Sequence, residues 1–507
     1  MPTKILSAAL IGLEAELIEV EADSGGGDFG QIAIVGLPDT SVSEAKERVK
    51  SALRNCPYEF PKRKITVNLA PTSVKKHGSA YDLPIAISIL ALKNNFSINF
   101  CDCLFTGELS LSGEVKPVSG ILAIALKAKK LGIKNLFIPE ENLIEAQLIS
   151  DLNIFPVKTL TQLADHLKNK KIIYSPTPKK PFAEFFPKKI ISSDLANIKG
   201  QEKAKRALEI AAAGGHNILL IGPPGSGKTL LAQALPGLLP RLLNEEILEV
   251  TNIYSVAGEL KNNSFLITER PFRSPHHSAS GISLIGGGTW PRPGEISLAH
   301  RGVLFLDEFP EFTRSALENL RQPLEDGTIN ISRAARSLTF PCNFILIAAM
   351  NPCPCGYHGD KKIACRCTER QRLNYRQRIS GPIIDRIDLH VNVPRIDFLK
   401  LNNEKASESS LIVKIRIEKA RLLQLARFKE KTSLTNSEMS NEEIRHFCTL
   451  DFEGKKLLKE ALIKLNLSPR AYFRLLKIAR TIADLAAAPL ILPSHLAEAL
   501  QYRPQME

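Results

Sequence analysis

Apolar and polar positions along the chain follow two different periods, and each change of period marks a predicted element. Short continuous apolar runs at Ile218-Leu-Leu-Ile221, Val303-Leu-Phe-Leu306 and Phe344-Ile-Leu-Ile-Ala-Ala-Met350 predict buried strands. The segment Lys203–Ala213 is amphipathic at helical spacing, and Leu230-Leu-Ala-Gln-Ala-Leu235 opens another helix. Thr328–Phe340 alternates like a hairpin with Arg333 and Arg336 at its tip. Residues 397–507 are helical by period, most clearly over Ser468–Leu485.

These patterns divide the chain. Residues 1–168 mix β-rich runs, such as Ala15–Glu21 and Lys64–Leu69, with helical stretches, and predict a compact α/β or α+β domain. Residues 169–192 form a Lys/Pro-rich linker, in which Pro176, Pro178, Pro181 and Pro187 deny a regular helix or central strand. An α/β core over 193–396 and a helical domain over 397–507 follow.

Composition narrows the class. At 507 residues and 44% hydrophobic content the chain predicts several globular domains. No apolar run approaches the roughly 20 residues needed to span a bilayer, and Met1-Pro-Thr-Lys-Ile lacks a signal pattern, so the expected location is the cytoplasm with no membrane partner. Nine cysteines fit a reducing compartment and a metal better than a disulfide framework. A formal charge of +14 favours a polyanionic partner, although part of the excess sits in the linker.

The chemistry gathers at strand ends. Gly222, Pro223, Pro224, Gly225, Ser226, Gly227, Lys228 and Thr229 form G-x-x-x-x-G-K-[ST] between a predicted strand and a helix. Such a loop cradles phosphate with backbone N–H groups, while Lys228 reaches the β/γ-phosphates of ATP and Thr229 offers a hydroxyl to Mg²⁺. Asp307 would hold the Mg²⁺ and Glu308 would deprotonate the attacking water. Asn351, ending the next apolar strand, would hold that water or the γ-phosphate. Roughly 80 positions separate Lys228 from Asp307, more than one helix and one strand use, so an insertion is expected there.

Within that insertion Trp290 and Arg292 lie among glycines and prolines. An aromatic beside an arginine on a loop suits base stacking and phosphate neutralisation, and equally suits pinning the loop to its own domain. Cys353, Cys355, Cys365 and Cys367 form two Cys-x-Cys pairs that can close four thiolates around a structural Zn²⁺, with His358 as a substitute ligand.

Two resemblances follow from these motifs. Lys76–Pro84, Phe105–Gly120 and Gly132–Pro139 resemble the proteolytic domain of Lon-type proteases, a ribosomal S5 domain 2-like fold. The position of that family's nucleophilic serine falls on Ala80, with Ser79 one place early, and that of its partner lysine falls on Leu122. A leucine takes no proton, so the fold is expected without the protease dyad, and Ser79 reads as a turn residue.

The segments Pro271–His277, Pro293–His300, Asn351–Gly356 and Ser380–Arg386 resemble the magnesium-chelatase-related AAA+ family over essentially the whole chain. That resemblance implies a homo-hexameric, ATP-driven DNA helicase that promotes branch migration during natural transformation, acting on single-stranded and branched DNA. It places Gly200 and Gln201 near adenine, and Arg333 and Arg336 in the ring's pore. Arg386 becomes a finger reaching the neighbour's γ-phosphate, with a local bridge to Asp385 or Asp388 as the alternative. The helical domain becomes a lid carrying Arg470, or its rival Arg474, as a second sensor. The fused Lon-like domain and the cysteines tell against tetrapyrrole metallation. Two other classes stay open, a chelatase-type motor that remodels a protein without DNA and a protease.

Overall fold

The computed structural model describes residues 2–25, 31–37, 39–176, 193–260, 266–288, 291–332, 337–360, 362–395, 408–428, 435–464 and 468–503. The chain divides into two compact units, Met1–Pro187 with Ile247–Ile267, and Lys188–Glu246 with Thr268–Glu507.

The first unit is built on a seven-stranded mixed sheet. Its strands run in the order Ile32–Val35, Ile65–Ala70, Glu14–Ser24, Thr3–Ile11, Cys103–Phe105, Asn135–Pro139 and Asn153–Val157. Its strands Cys103–Phe105 and Asn135–Pro139 are buried on both faces, whereas Glu14–Ser24 and Ile65–Ala70 alternate buried apolar with polar residues. On one face Ile18, Val20, Val67 and Leu69 pack in one cluster with Val42 and Val49 of the Thr40–Arg54 helix, Leu83 and Ile87 of Asp82–Ala91, and Leu163 of Leu160–Leu167. On the other, Leu104, Leu136 and Ile154 pack with Ile121, Ile124 and Ala128 of the Ile121–Lys130 helix. Leu248 and Val256, from far along the chain, lie against that second cluster. The buried Glu145 carboxylate joins the two stretches, accepting from the Leu122 N–H at 2.9 Å and from the Ser255 hydroxyl.

Positions recognised as Lon-like carry no dyad. Leu122 is fully buried in the helix Ile121–Lys130. Ser79 donates its hydroxyl to the Glu108 carboxylate, and the buried Lys76 gives its ammonium to the Pro71 carbonyl. No amine stands ready to take the Ser79 proton among these contacts.

The second unit holds a five-stranded parallel sheet in the order Phe272–Arg273, Val303–Leu306, Ile345–Met350, Ile218–Ile221 and Leu389–Asn392. Parallel strands need crossovers and coverage on both faces, and Val303–Leu306 and Ile345–Met350 are buried at every residue. All five carboxyl ends therefore lie on one edge, and the earliest strand in the chain sits inside the sheet, the arrangement that opens a crevice at such an edge. The alternating segment forms the expected hairpin, Thr328–Ser332 against Ser337–Pro341. Arg333, Arg336 and Trp290 lie outside the described residues.

After the sheet come helices Ser410–Arg427, Asn441–Phe447, Phe452–Lys464, Pro469–Leu485 and Pro493–Leu500. A buried carboxylate knits them, because Asp484 accepts from Arg427 at 2.6 Å, Arg480 at 3.0 Å and Asn436 at 2.8 Å. Among the described residues no helix is long and apolar enough to cross a membrane.

Candidate functional site

The site is a consequence of register. Pairing of Ile221 with Met350 and of Leu306 with Ala348 puts Gly222, Asp307 and Asn351 just past neighbouring strand ends. Gly222 has to be glycine, because a Cβ there would stand 2.1 Å from the Val393 carbonyl oxygen. Gly225 and Gly227 both take positive φ, with open space where a Cβ would go. Gly227 leads into the helix Lys228–Leu238, whose first N–H groups receive no side-chain cap. Uncapped N–H groups at a helix start favour a bound anion, and the buried Ser226 hydroxyl in the same loop has no partner.

Lys228, 9% exposed, lies across this loop. Its Nζ donates to the carbonyls of Gly222 at 2.8 Å and Pro223 at 3.0 Å, and to Asn351 Oδ1 at 3.3 Å. Burial lowers its pKa below the usual lysine value, against the pull of Asp307. The Thr229 hydroxyl donates to Asp307 Oδ2 at 3.2 Å, so the two expected Mg²⁺ ligands already touch. The donor set fits the ion, a carboxylate and a hydroxyl offering hard oxygens beside a phosphate cradle. Gln201, held in the left-handed region at φ +59°, donates its Nε2 to the Ser226 carbonyl at 3.3 Å and to that of Pro394 at 2.6 Å. Gly200, its neighbour, is also left-handed. The pair thus borders the phosphate loop.

Glu308 is also left-handed, at φ +50°, and its carboxylate stands 2.9 Å from His277 Nδ1. His277 in turn lies against His276, ring centres 4.1 Å apart and planes tilted by 35°. His277 lies in the Pro271–His277 segment, and nothing in linear spacing shows that it meets residue 308.

Arg386 and Arg470 converge on one acid. Arg386 bonds Glu325 through Nη2, and Arg470 Nη2 lies 3.6 Å from the same Oε1. The bond to Arg386 holds the Glu325 carboxyl below its ordinary range. The local partner of Arg386 is therefore Glu325, in place of the expected Asp385 or Asp388, and its buried Nε has no partner. Ser468 caps the helix Pro469–Leu485 by accepting from Ala471 N–H, which puts Arg470 in the first turn and 65% exposed. Arg474, the rival, is bound to the Ile387 carbonyl at 3.1 Å and Asp388 at 3.3 Å.

The four cysteines come together, all sulfurs within 4.8 Å of one another, and none is in a disulfide. His358 Nδ1 accepts from Arg372 Nη1 at 3.0 Å instead of joining them. Burial pushes the Cys353 thiol up to about 12, while N–H donation from Tyr357 draws Cys355 down to about 6. Arg292 is exposed on a short strand beside Gly287.

Three profiles of known families match this chain. "Magnesium chelatase, subunit ChlI" matches residues 194–401, "Subunit ChlI of Mg-chelatase" 18–142, and "Magnesium chelatase, subunit ChlI C-terminal" 407–503. Among curated relatives, the uncharacterized protein YifB of Escherichia coli is 45% identical over 499 residues, 98% of this chain and 96% of that one. Competence protein ComM of Haemophilus influenzae is 43% identical over 504 residues, 98% and 97%. A peroxisomal Lon protease homolog of Zea mays is 28% identical over 169 residues, 31% of this chain and 19% of that one. Near-complete coverage at such identity, on a parallel sheet whose strand ends carry Gly222, Asp307 and Asn351, shows that the chain belongs to the magnesium-chelatase-related AAA+ family that includes the ComM and YifB proteins.

Proposed function

We propose that this protein is a cytoplasmic, ring-forming ATPase that moves DNA and promotes branch migration when incoming DNA recombines during natural transformation. The observation that carries the ATPase part is the meeting of Lys228 with Asn351, and of Thr229 with Asp307, at adjoining strand ends. Bound ATP supplies a γ-phosphoryl group for attack by water. The phosphate loop from Gly222 to Thr229 would hold its phosphates, Thr229 and Asp307 the Mg²⁺, and Gly200 and Gln201 would border the base. Glu308 takes the proton of the attacking water and Asn351 orients it.

Arg386 completes the site from a neighbouring subunit, which makes hydrolysis a property of a hexameric ring. Its exchange of Glu325 for a neighbour's phosphate, with Arg470 released from the same acid, is the event that would couple nucleotide to lid. DNA as the partner rests on the +14 charge, on the exposed Arg292, and on the name of the Haemophilus influenzae relative. Trp290, Arg333 and Arg336 are further DNA contacts in this reading. The four cysteines hold a structural Zn²⁺, since four thiolates leave no open position for chemistry.

The deciding experiment is branch migration of a labelled forked substrate by purified protein with ATP. No strand exchange, with ATP turnover indifferent to DNA, would favour the second reading, a chelatase-type motor working on a protein.

A further inference from the structure

The cysteine cluster lies closer to the nucleotide chemistry than a remote fold support needs to. A Zn–S bond of about 2.3 Å gives a tetrahedron with edges of about 3.8 Å. Cys353 and Cys355 stand 3.4 Å apart, Cys353 and Cys365 3.7 Å, Cys355 and Cys365 3.6 Å. Backbone N–H groups surround the sulfurs. Those of His358 and Gly356 point at Cys353, those of Tyr357 and Arg366 at Cys355, and that of Cys355 at Cys367. Such donors delocalise thiolate charge and hold each sulfur in place, the outer shell that metal thiolates use.

Both arms of this cluster return to Asn351. Cys353 follows it by two residues and is buried. The other arm runs from Cys367 through Thr368, which caps the helix Glu369–Gln377, and Tyr375 of that helix takes a backbone hydrogen bond from Asn351. The turn between the arms rests on the phosphate loop. Gly356, at φ +84°, lies so close that a Cβ would stand 2.6 Å from Pro224 Cδ and 3.9 Å from Asn351 Cγ. A cation joining Cys353 and Cys355 to Cys365 and Cys367 closes a loop whose two ends grip the asparagine and whose tip presses on the cradle.

We propose that the tetrathiolate metal is a clamp on the hydrolytic step: Zn²⁺ fixes Asn351 against Lys228 and holds Pro224 down, so metal occupancy sets turnover and leaves nucleotide affinity alone. This rests on the ATPase and zinc readings above. Affinity is spared because the main phosphate grip comes from Lys228 and the helix start, which keep their own strand and loop bonds. Turnover is not, because a side chain that orients water loses about 10²-fold for a misplacement near 1 Å.

The test uses the full-length protein. Metal content is read by plasma mass spectrometry, turnover by phosphate release, and affinity with a fluorescent ATP analogue, before and after stripping with an organomercurial followed by thiol and chelator. One zinc per chain is expected at the outset. Stripping should lower kcat at least tenfold with analogue Kd within about twofold, and added ZnCl₂ should restore it. Gly356→Ala separates this from unfolding: it keeps all four thiols and its zinc, yet its methyl presses on Pro224, so kcat falls tenfold at unchanged metal content. Unchanged kcat after stripping overturns the clamp, as does equal loss of Kd and kcat. Failure of the underlying readings shows separately, as no zinc in the intact protein or no hydrolysis by it, and either also overturns the clamp.

Discussion

Replacing Lys228 by Met removes one cation and keeps the stem that packs beneath the loop. In the folded protein the ammonium serves two backbone carbonyls and Asn351, so the substitution removes three hydrogen bonds at once. Toward ATP the loss is a charge-assisted contact of about 1.5–3 kcal/mol, which weakens nucleotide binding about 10- to 150-fold at about 1.4 kcal/mol per decade. Without nucleotide the balance is different. Each carbonyl left without a donor costs about 1–3 kcal/mol, but the protein no longer buries a charge that burial already disfavours. The net change in stability should stay within about 2 kcal/mol, a shift below about 8 °C in Tm.

The opposing terms can be separated by pH. Lys228 titrates lower in the folded chain than its ordinary 10.5, so between that lowered value and 10.5 the folded state binds fewer protons than the unfolded one. Wild type therefore gains stability as pH rises through this window, and Lys228→Met does not. Phosphate release, nucleotide-dependent thermal shift and a denaturation series across alkaline pH measure all three effects. Wild-type turnover in the variant, or a nucleotide-induced Tm rise equal to wild type, would refute the site. Collapse of the nucleotide-free protein would make Lys228 a structural residue.

Glu308→Gln should bind ATP with near-wild-type affinity and slow kcat about 10²- to 10⁴-fold, checked by filter binding beside phosphate release; brisk turnover would remove Glu308 from its role. Arg386→Ala and Lys228→Met should each be inactive alone and recover part of the activity when mixed, because an intact Lys228 of one chain meets an intact Arg386 of the other. No recovery in mixed assemblies would place Arg386 in its own chain's chemistry. Asp82, buried beside Arg48 at 2.6 Å, has a carboxyl that burial raises from 3.8 to about 6 despite the arginine. The folded state thus binds more protons than the unfolded between about pH 4 and 6, so stability falls as pH rises through that window; Asp82→Asn should flatten that slope in urea titrations. Casein should survive incubation with and without ATP, since Ser79 faces Glu108 and position 122 is leucine.

The sequence made some of this legible for physical reasons. Continuous apolar runs report strands buried on both faces, and a glycine loop between strand and helix is a phosphate-cradle pattern, so Gly222–Thr229, Asp307 and Asn351 stand out in the sequence itself. The Thr328–Pro341 hairpin followed from alternation, and the cap at Ser468 from a serine before proline. What stayed hidden depends on distance in space. His277 beside Glu308, Glu325 between Arg386 and Arg470, and Tyr375 on Asn351 join residues from separate elements, and local pattern carries no record of such meetings. The insertion between Lys228 and Asp307 was visible as excess length. That part of it, Ile247–Ile267, belongs to the first unit was not, because an amphipathic helix states that it needs a core without stating which one.

That excursion constrains how the chain is made. On the ribosome, residues 1–187 emerge well before Leu248, Ser255 and Val256, so the nascent amino-terminal unit waits without the packing of Leu248 and Val256 on its second cluster and with Glu145 lacking its hydroxyl donor. Synthesis has to pass the phosphate loop and reach residue 267 before the earlier unit can close, which ties maturation of the two units into a single order.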